Sequence, residues 1–453
     1  MKDSIEVKKT VSLTFYGGAN EIGGNKILVE DKGTKIFLDF GQSFTLLDDF
    51  FVPEAFLTPR TRFGLRDYFA LGLMPKLDGL YNEKALDGTD VKFKPPEFDA
   101  VFISHAHMDH VAHLEYLHPE IPVYMGECTK LILDSVQETV RGANFYGEES
   151  AIKTFKTGKT VKVGSMTIHP IHVDHSVPGA YGFIVETSEG AIAYTGDLRR
   201  HGPRADMTKD FIEKAKEYEP EALIIEGTRV ALEEKRKNFS EETVCDGCKK
   251  VAKDTEGLIL AMRYPKDLDR FRTFYGVAKE AGRELVISPK TAHLLQTLEG
   301  DGNLELPDPF MDGIKVYDRQ LKREEKWMAP FLEDAVDSEY VRKNQKNILL
   351  ELDFYYLAEL VDIQPEKAAC IHSMSEPFEE DPISQISDEV LTNWMERFKM
   401  ARHQLHASGH AGKTEIFQII EEIGAKKVYP VHTLHAGLFK NAQAFEKGTR
   451  VEI

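Results

Sequence analysis

The hexapeptide His105-Ala106-His107-Met108-Asp109-His110 constrains this chain more than any other feature, because it follows directly on an apolar, strand-like run at 99–104. A strand that delivers three imidazoles and a carboxylate into one loop calls for a fold in which strand ends converge on bound cations. Imidazole nitrogen suits zinc and similar borderline ions, and the His-x-His spacing lets two rings leave the backbone on one side toward one ion. Asp109 and His110 then remain for a second ion. A buried structural histidine is the ordinary explanation for any one of these residues, but it does not account for four potential ligands in six positions.

Further ligands follow in order: His175 within Asp174-His175-Ser176, and Asp197 within Tyr194-Thr195-Gly196-Asp197, both at expected strand ends. A carboxylate such as Asp197 can bridge two cations and hold them about 3.5–4 Å apart. The local sequence leaves His169 and His172 as competitors of His175. Asp39, after the Ile36-Phe37-Leu38 run, reads equally well as a turn aspartate.

Around these motifs, strand-like runs at 11–16, 26–30 and 35–40 are separated by Gly17-Gly18, Gly23-Gly24 and Asp31-Lys32-Gly33, the pattern of an antiparallel meander. Further strands are expected at 160–172, 182–187 and 191–195, which implies two sheets with helices outside. Past about residue 205 the chain alternates apolar strands (222–225, 258–262, 284–287) with helices expected at 233–253, 268–281 and 323–344, a doubly wound α/β pattern. Near 403–410 and 428–432 short segments again end in histidines, with a helix expected at 414–423. The second domain is therefore read as inserted into the first: 1–205 opens the outer domain, 206–395 is the insert, and 396–453 completes the outer domain. Segment 45–95 reads as an insertion packed near the site, without chemistry of its own.

Bulk properties narrow the function. A chain of 453 residues is long enough for two or three domains. With 42% hydrophobic and 29% charged residues and no long apolar run, no membrane segment is expected. Met1-Lys2-Asp3-Ser4 leads into a charged stretch without the features of a signal peptide, and four cysteines are too few for a disulfide framework, so a cytoplasmic protein is expected. Cys245 and Cys248, flanked by Glu241-Glu242 and Lys249-Lys250, read as part of an exposed helix rather than a zinc knuckle. A net charge of -18 argues against a protein that coats nucleic acid electrostatically. Any such contact must be local, with Arg199, Arg200, Arg204, Arg229 and Arg263 either forming a positive groove or serving as plain surface charges.

HAHMDH, DHS and TGD, with Asp39, resemble the successive motifs of the metallo-β-lactamase superfamily. Glu226-Gly227-Thr228, Ser408-Gly409-His410-Ala411 and Pro430-Val431-His432-Thr433 resemble the three extra motifs of its β-CASP nuclease subfamily, to which ribonuclease J belongs. Gly17-Gly18 and Glu21-Ile22-Gly23-Gly24-Asn25 look like the opening of ribonuclease J-type proteins, and the likeness covers most of the chain, least at 45–95. The resemblance implies a metallo-β-lactamase αββα sandwich with an inserted α/β β-CASP domain. It implies that His105, His107 and His175 hold one divalent ion, that Asp109, His110 and His432 hold another, and that Asp197 bridges them; zinc is expected, with manganese as the alternative. Asp39 would orient a ligand histidine from the second layer.

By the same resemblance His410 is the candidate general acid, paired with Glu226, and Asp109 belongs to the catalytic centre. Ser408 and Thr228 are candidates for phosphate contact, against ordinary turn formation, and His406 is kept outside the catalytic set. The expected function is metal-dependent cleavage of single-stranded RNA, exo- or endonucleolytic, by a metal-activated hydroxide. RNA is preferred to DNA because a histidine, His432, stands in the third extra motif.

The rivals are a hydrolase of a thioester, lactone or β-lactam, which would lack the roughly 200 residues between Asp197 and His410; a di-iron reductase, which would carry a carboxylate at His107; and a metal-binding scaffold that has lost ligands. Ribonuclease J-type proteins carry a further C-terminal domain, so oligomeric state, including a homodimer, is left open.

Overall fold

The computed structural model describes residues 10–453 apart from 53–56, 148, 234–238, 302–303, 312, 322–323 and 378–381. The opening Met1-Lys2-Asp3-Ser4 and parts of the expected helices at 233–253 and 323–344 lie outside the described residues.

Six strands open the chain's first sheet: β1 (Ser12–Gly17), β2 (Lys26–Asp31), β3 (Thr34–Leu38), β4 (Ala100–Ile103), β5 (Val123–Gly126) and β6 (Ile152–Phe155). The first three form the antiparallel meander, and β3 to β6 run parallel. The second sheet contains β7 (Val161–Val163), β8 (Met166–His172), β9 (Tyr181–Thr187), β10 (Gly190–Tyr194) and β11 (Ala222–Glu226). A third, wholly parallel sheet holds β12 (Ile259–Arg263), β13 (Glu284–Ile287), β14 (Ile314–Val316), β15 (Ile348–Glu351), β16 (Ala369–Ser373) and β17 (Ala401–Gln404). The chain then returns: β18 (Lys427–Val431) joins β11, and β19 (Arg450–Glu452) joins β1.

Period-two alternation explains the layering. In β4, Ala100 and Phe102 face the second sheet, whereas Val101 and Ile103 face outward; in β11, Ala222 and Ile224 point inward and Leu223 and Ile225 outward. The two sheets thus share one buried layer. Helices Ala205–Glu217 and Lys413–Ile423 cover the outside of the second sheet. Helix Glu127–Thr139 covers the outside of the first, together with segment 45–95, whose Leu47, Leu65, Tyr68, Phe69 and Leu80 are buried there. The third sheet docks on this side, and Ser135 meets His293 of the Pro289–Leu298 helix at 2.9 Å.

Several expectations are corrected. β11 and helix Ala205–Glu217, expected in the insert, belong to the sandwich, because β11 pairs in parallel with both β10 and β18. β17, expected in the closing segment, pairs with β16 in the third sheet. The single helix expected at 323–344 is instead a 3₁₀ turn (Lys326–Met328) and two short helices (Ala329–Leu332, Ser338–Lys343). Pro330 cannot sit in a helix interior, and Asp337 starts a new helix by accepting the Tyr340 N–H. Helix Glu241–Asp254 starts at Ser240, whose hydroxyl accepts the Thr243 N–H. It is not simply exposed: Glu241 and Cys248 are buried.

A candidate metal centre

The motif loops leave the carboxyl ends of strands that run in one direction, β3 and β4 in the first sheet and β8, β10, β11 and β18 in the second. Ligand-bearing loops collect at such ends in α/β folds. One cluster contains His105, His107, His175 and Asp197; a second contains Asp109, His110, Asp197 and His432; Asp197, Glu226 and His410 form a third.

The histidines are oriented from behind. Asp39, fully buried and at φ 58°, accepts from Ser104 N–H (2.7 Å), Ser104 Oγ (2.8 Å), Tyr194 OH (2.5 Å) and His110 Nδ1 (2.7 Å). Because Ser104 Oγ donates to Asp39, it accepts from His105 Nδ1 at 3.0 Å. His175 Nδ1 donates to the Gly409 carbonyl at 2.5 Å. His432, itself at φ 53°, donates from Nδ1 to Thr228 Oγ1 at 2.9 Å, and that hydroxyl donates in turn to Glu226 Oε2 at 2.6 Å. These partners fix the tautomers and leave Nε2 of His105, His110, His175 and His432 turned inward, as ligand histidines require.

What the inward atoms meet demands a cation. His110 Nε2 lies 3.1 Å from Asp197 Oδ2, and His432 Nε2 lies 2.7 Å from Asp109 Oδ2. A lone pair cannot face a carboxylate at that distance unless a proton or a metal ion lies between. His107 Nδ1 is 3.1 Å from both His105 Nε2 and His175 Nε2, three imidazole nitrogens converging on one point. Asp197 Oδ1 is buried with no hydrogen-bond partner among the described residues, while Oδ2 is 3.6 Å from His105 Nε2 and so reaches both sets. The donor set fits a metal-binding site.

The electrostatics agree. Burial pushes His105 and His107 well below the usual imidazole range and His175 down to about 4, so these rings are neutral and ready to ligate. In the other set burial is overcome by Asp197 and Asp109, which raise His432 to about 9, and by Asp197, Asp39 and Asp109, which raise His110. Burial works against ionised Asp109 and Asp197, but His110 and His432 hold both well below the usual carboxylate range. The site is built to hold positive charge. Replacing Asp39 with asparagine should therefore weaken metal affinity about 10–100-fold without unfolding the chain, as measured by chelator competition and circular dichroism; unchanged affinity would show that Asp39 does not set His110.

Above the clusters sits His410, its Nδ1 3.1 and 3.0 Å from the two oxygens of Glu226 and its ring 5.1 and 5.7 Å from those of His175 and His432. Burial lowers its pKa, but Glu226 and then Asp197 raise it more, so it holds its proton above the ordinary range. Glu226 is fixed by the Leu198 N–H at 2.8 Å. Gly409 is required here, since a Cβ would stand 2.6 Å from Ser176 Oγ and 2.9 Å from the His175 ring.

Other candidates divide. Ser408 Oγ accepts the His410 N–H, which leaves its own proton for another acceptor, whereas the O–H of Thr228 is committed to Glu226. His169 pairs with Glu186, and His172 bonds to Thr157 and stacks on Tyr181, so neither competes with His175. Of the two readings left open for the five arginines, a positive groove is not formed. Arg199 is wholly buried against Asp174, Glu241 and Asp269, Arg263 is buried on Glu351, Arg200 pairs with Glu422, and Arg204 with Asp206. Arg229 is also buried. One residue that the sequence did not single out reaches the metal loop: Lys266, from the third-sheet unit, donates to the Ala106 carbonyl at 2.7 Å.

Residues 82–246 match the model of a beta-lactamase superfamily domain, and residues 396–453 that of a Zn-dependent metallo-hydrolase RNA specificity domain. The chain is 24% identical over 361 residues to Ribonuclease J of Sinorhizobium meliloti, an alignment covering 76% of this chain and 59% of that protein. It is 22% identical to Ribonuclease J of Helicobacter pylori, covering 95% and 57%, and 22% identical to Ribonuclease J of Pyrococcus abyssi, covering 93% and 89%. The chain thus spans under two thirds of the length of the first two relatives. A solved structure of a protein of unknown function from Enterococcus faecalis V583 superposes with a TM-score of 0.78 at 25% identity, covering 98% of this chain and 100% of that one. The fold, the ligand clusters and these matches liken the chain to the metallo-β-lactamase superfamily, whose domain model it matches at 82–246. Within that superfamily the likeness, over most of the chain, is to β-CASP proteins of the ribonuclease J type. No helix among the described residues is long and apolar enough to cross a membrane.

Proposed function

We propose that the protein is a metal-dependent phosphodiesterase that cleaves single-stranded RNA. The observation that carries this reading is His410, a proton-holding imidazole fixed by Glu226 directly beside both ligand clusters. The relatives named Ribonuclease J and the RNA specificity domain at 396–453 support RNA as the polymer, with single-stranded DNA as the alternative.

His105, His107 and His175 would hold one ion and Asp109, His110 and His432 a second, with Asp197 shared between them; zinc is the ion proposed, manganese the alternative. Divalent cations bound there would supply Lewis acidity, neutralising charge on phosphoryl oxygens and acidifying water. The protein's own part is positional and protonic. His410 Nδ1 stays on Glu226, and its Nε2–H is the proton offered to the leaving oxygen, or to the charge that develops on phosphoryl oxygens. Ser408 Oγ–H is the hydroxyl placed to donate to a phosphoryl oxygen beside it. We take the sandwich to comprise the sheets before residue 228 and after 405, and the β-CASP unit to lie between, so that the sandwich supplies the ligand clusters, Glu226 and His410, and the insert reaches them through Lys266.

The decisive assay incubates metal-loaded protein with matched single-stranded RNA and DNA carrying a 5′-monophosphate and a 3′ label, and resolves products by length. RNA cleavage is expected, mononucleotides marking exonucleolytic and internal fragments endonucleolytic action. Intact RNA under conditions where the metal is bound overturns the reading.

A further inference from the structure

We propose that Lys266 is the phosphate-contacting cation of this site, and that Tyr264 on the same loop gives the adjoining base a stacking face. This rests on the phosphodiesterase reading. Arg199, Arg200, Arg204, Arg263, Arg270 and Arg272 all face carboxylates at 3.1 Å or less, so they have little charge to offer a polyanion. Lys266 differs. Its ammonium is held on the carbonyl of Ala106, between His105 and His107, and forms no ion pair with a carboxylate among the described residues. A cation in that position lacks a counter-ion unless the substrate brings one.

The loop that carries Lys266 leaves the carboxyl end of β12 and spans the gap between the metal loop and the HASGH segment. Tyr264, 40% exposed, lies edge-to-face with His406 at 5.9 Å, and its hydroxyl accepts the Ser375 N–H at 3.3 Å. A part-exposed ring two residues from a cation on one loop offers the two features used to track single strands, since every base has a π-face and every linkage a charge. Met108, also 40% exposed, adds apolar rim on the metal-loop side.

The test uses the full metal-loaded protein, a cleavable RNA oligomer, and a 2′-O-methyl phosphorothioate oligomer that resists cleavage and reports binding by fluorescence anisotropy. Lys266→Gln keeps a donor for Ala106 but removes the charge. It should weaken binding and kcat/KM several-fold and reduce the slope of log affinity against log salt by about 0.7, the share of one phosphate on a single strand. Lys266→Arg should restore both, and Tyr264→Ala should weaken binding about tenfold with the salt slope unchanged. Metal content and melting temperature serve as controls for a merely structural effect. A Lys266→Gln variant with the wild-type salt slope, on a wild-type protein that does bind and cleave RNA, overturns the proposal. Failure of the wild type itself to bind or cleave RNA overturns the phosphodiesterase reading beneath it.

Discussion

Replacing His410 with alanine is expected to lower RNA cleavage by about 10²–10⁴-fold, the usual contribution of a positioned acid, while leaving bound metal at the wild-type level. The imidazole reaches Asp197 only at 3.9 Å, against 3.0 Å to Glu226, so its nearest partner is not a ligand of either main cluster. Glu226→Gln should follow in the same direction with a smaller loss, because the amide still accepts a hydrogen bond but no longer stabilises the imidazolium. Metal content by atomic emission and single-turnover cleavage rates separate the outcomes. Loss of metal in His410→Ala would make His410 a ligand, and retained activity would remove it from the chemistry.

The second large effect is on stability. Arg199→Met should destabilise the protein by about 3–5 kcal/mol, the cost of breaking a buried ion pair from one side. Arg199 is fully buried and reaches Asp174 (3.2 Å), Glu241 (3.0 Å) and Asp269 (2.6 Å), and more weakly the Ser408 carbonyl at 3.4 Å. Asp174 belongs to the sandwich and precedes His175; Glu241 and Asp269 belong to the third-sheet unit. Burial already pushes Asp269 up to about 6, and Arg199 opposes that rise; without the guanidinium, Asp174 loses its partner, while Glu241 and Asp269 keep only Arg270 and Arg272. Urea denaturation should show the loss, and Glu241→Gln placed in the Arg199→Met background should recover part of it. Equal stability of wild type and Arg199→Met would mean that water solvates the pocket in solution.

The same network shows why some functional geometry was not legible in the sequence. An arginine followed by another, Arg199-Arg200, looks like surface charge in one dimension. Only when the ends of β8 and β10 meet helix Glu241–Asp254 and helix Leu268–Glu280 do its three carboxylates surround it. Lys266 was hidden for a related reason. It stands 160 positions from Ala106 in an unremarkable Tyr-Pro-Lys-Asp turn, and no periodicity links the two. Pro330, by contrast, was a readable signal against the long helix at 323–344.

The sequence by itself determined the alternation that sorts β4 and β11 into inner and outer faces, and the kinds of ligand atom available at the strand ends. HAHMDH, DHS and TGD carry that chemistry locally, because adjacent residues at a strand end cannot avoid sharing one loop. Only the tertiary structure decided which nitrogen of each ring faces inward, through Asp39, Ser104, Thr228 and the Gly409 carbonyl. It alone decided that His410 meets Glu226 and that His432 meets Asp109, partners 184 and 323 residues apart. The physical reason is that tautomer, burial and charge partner are properties of a packed neighbourhood, which exists only after distant strands have paired.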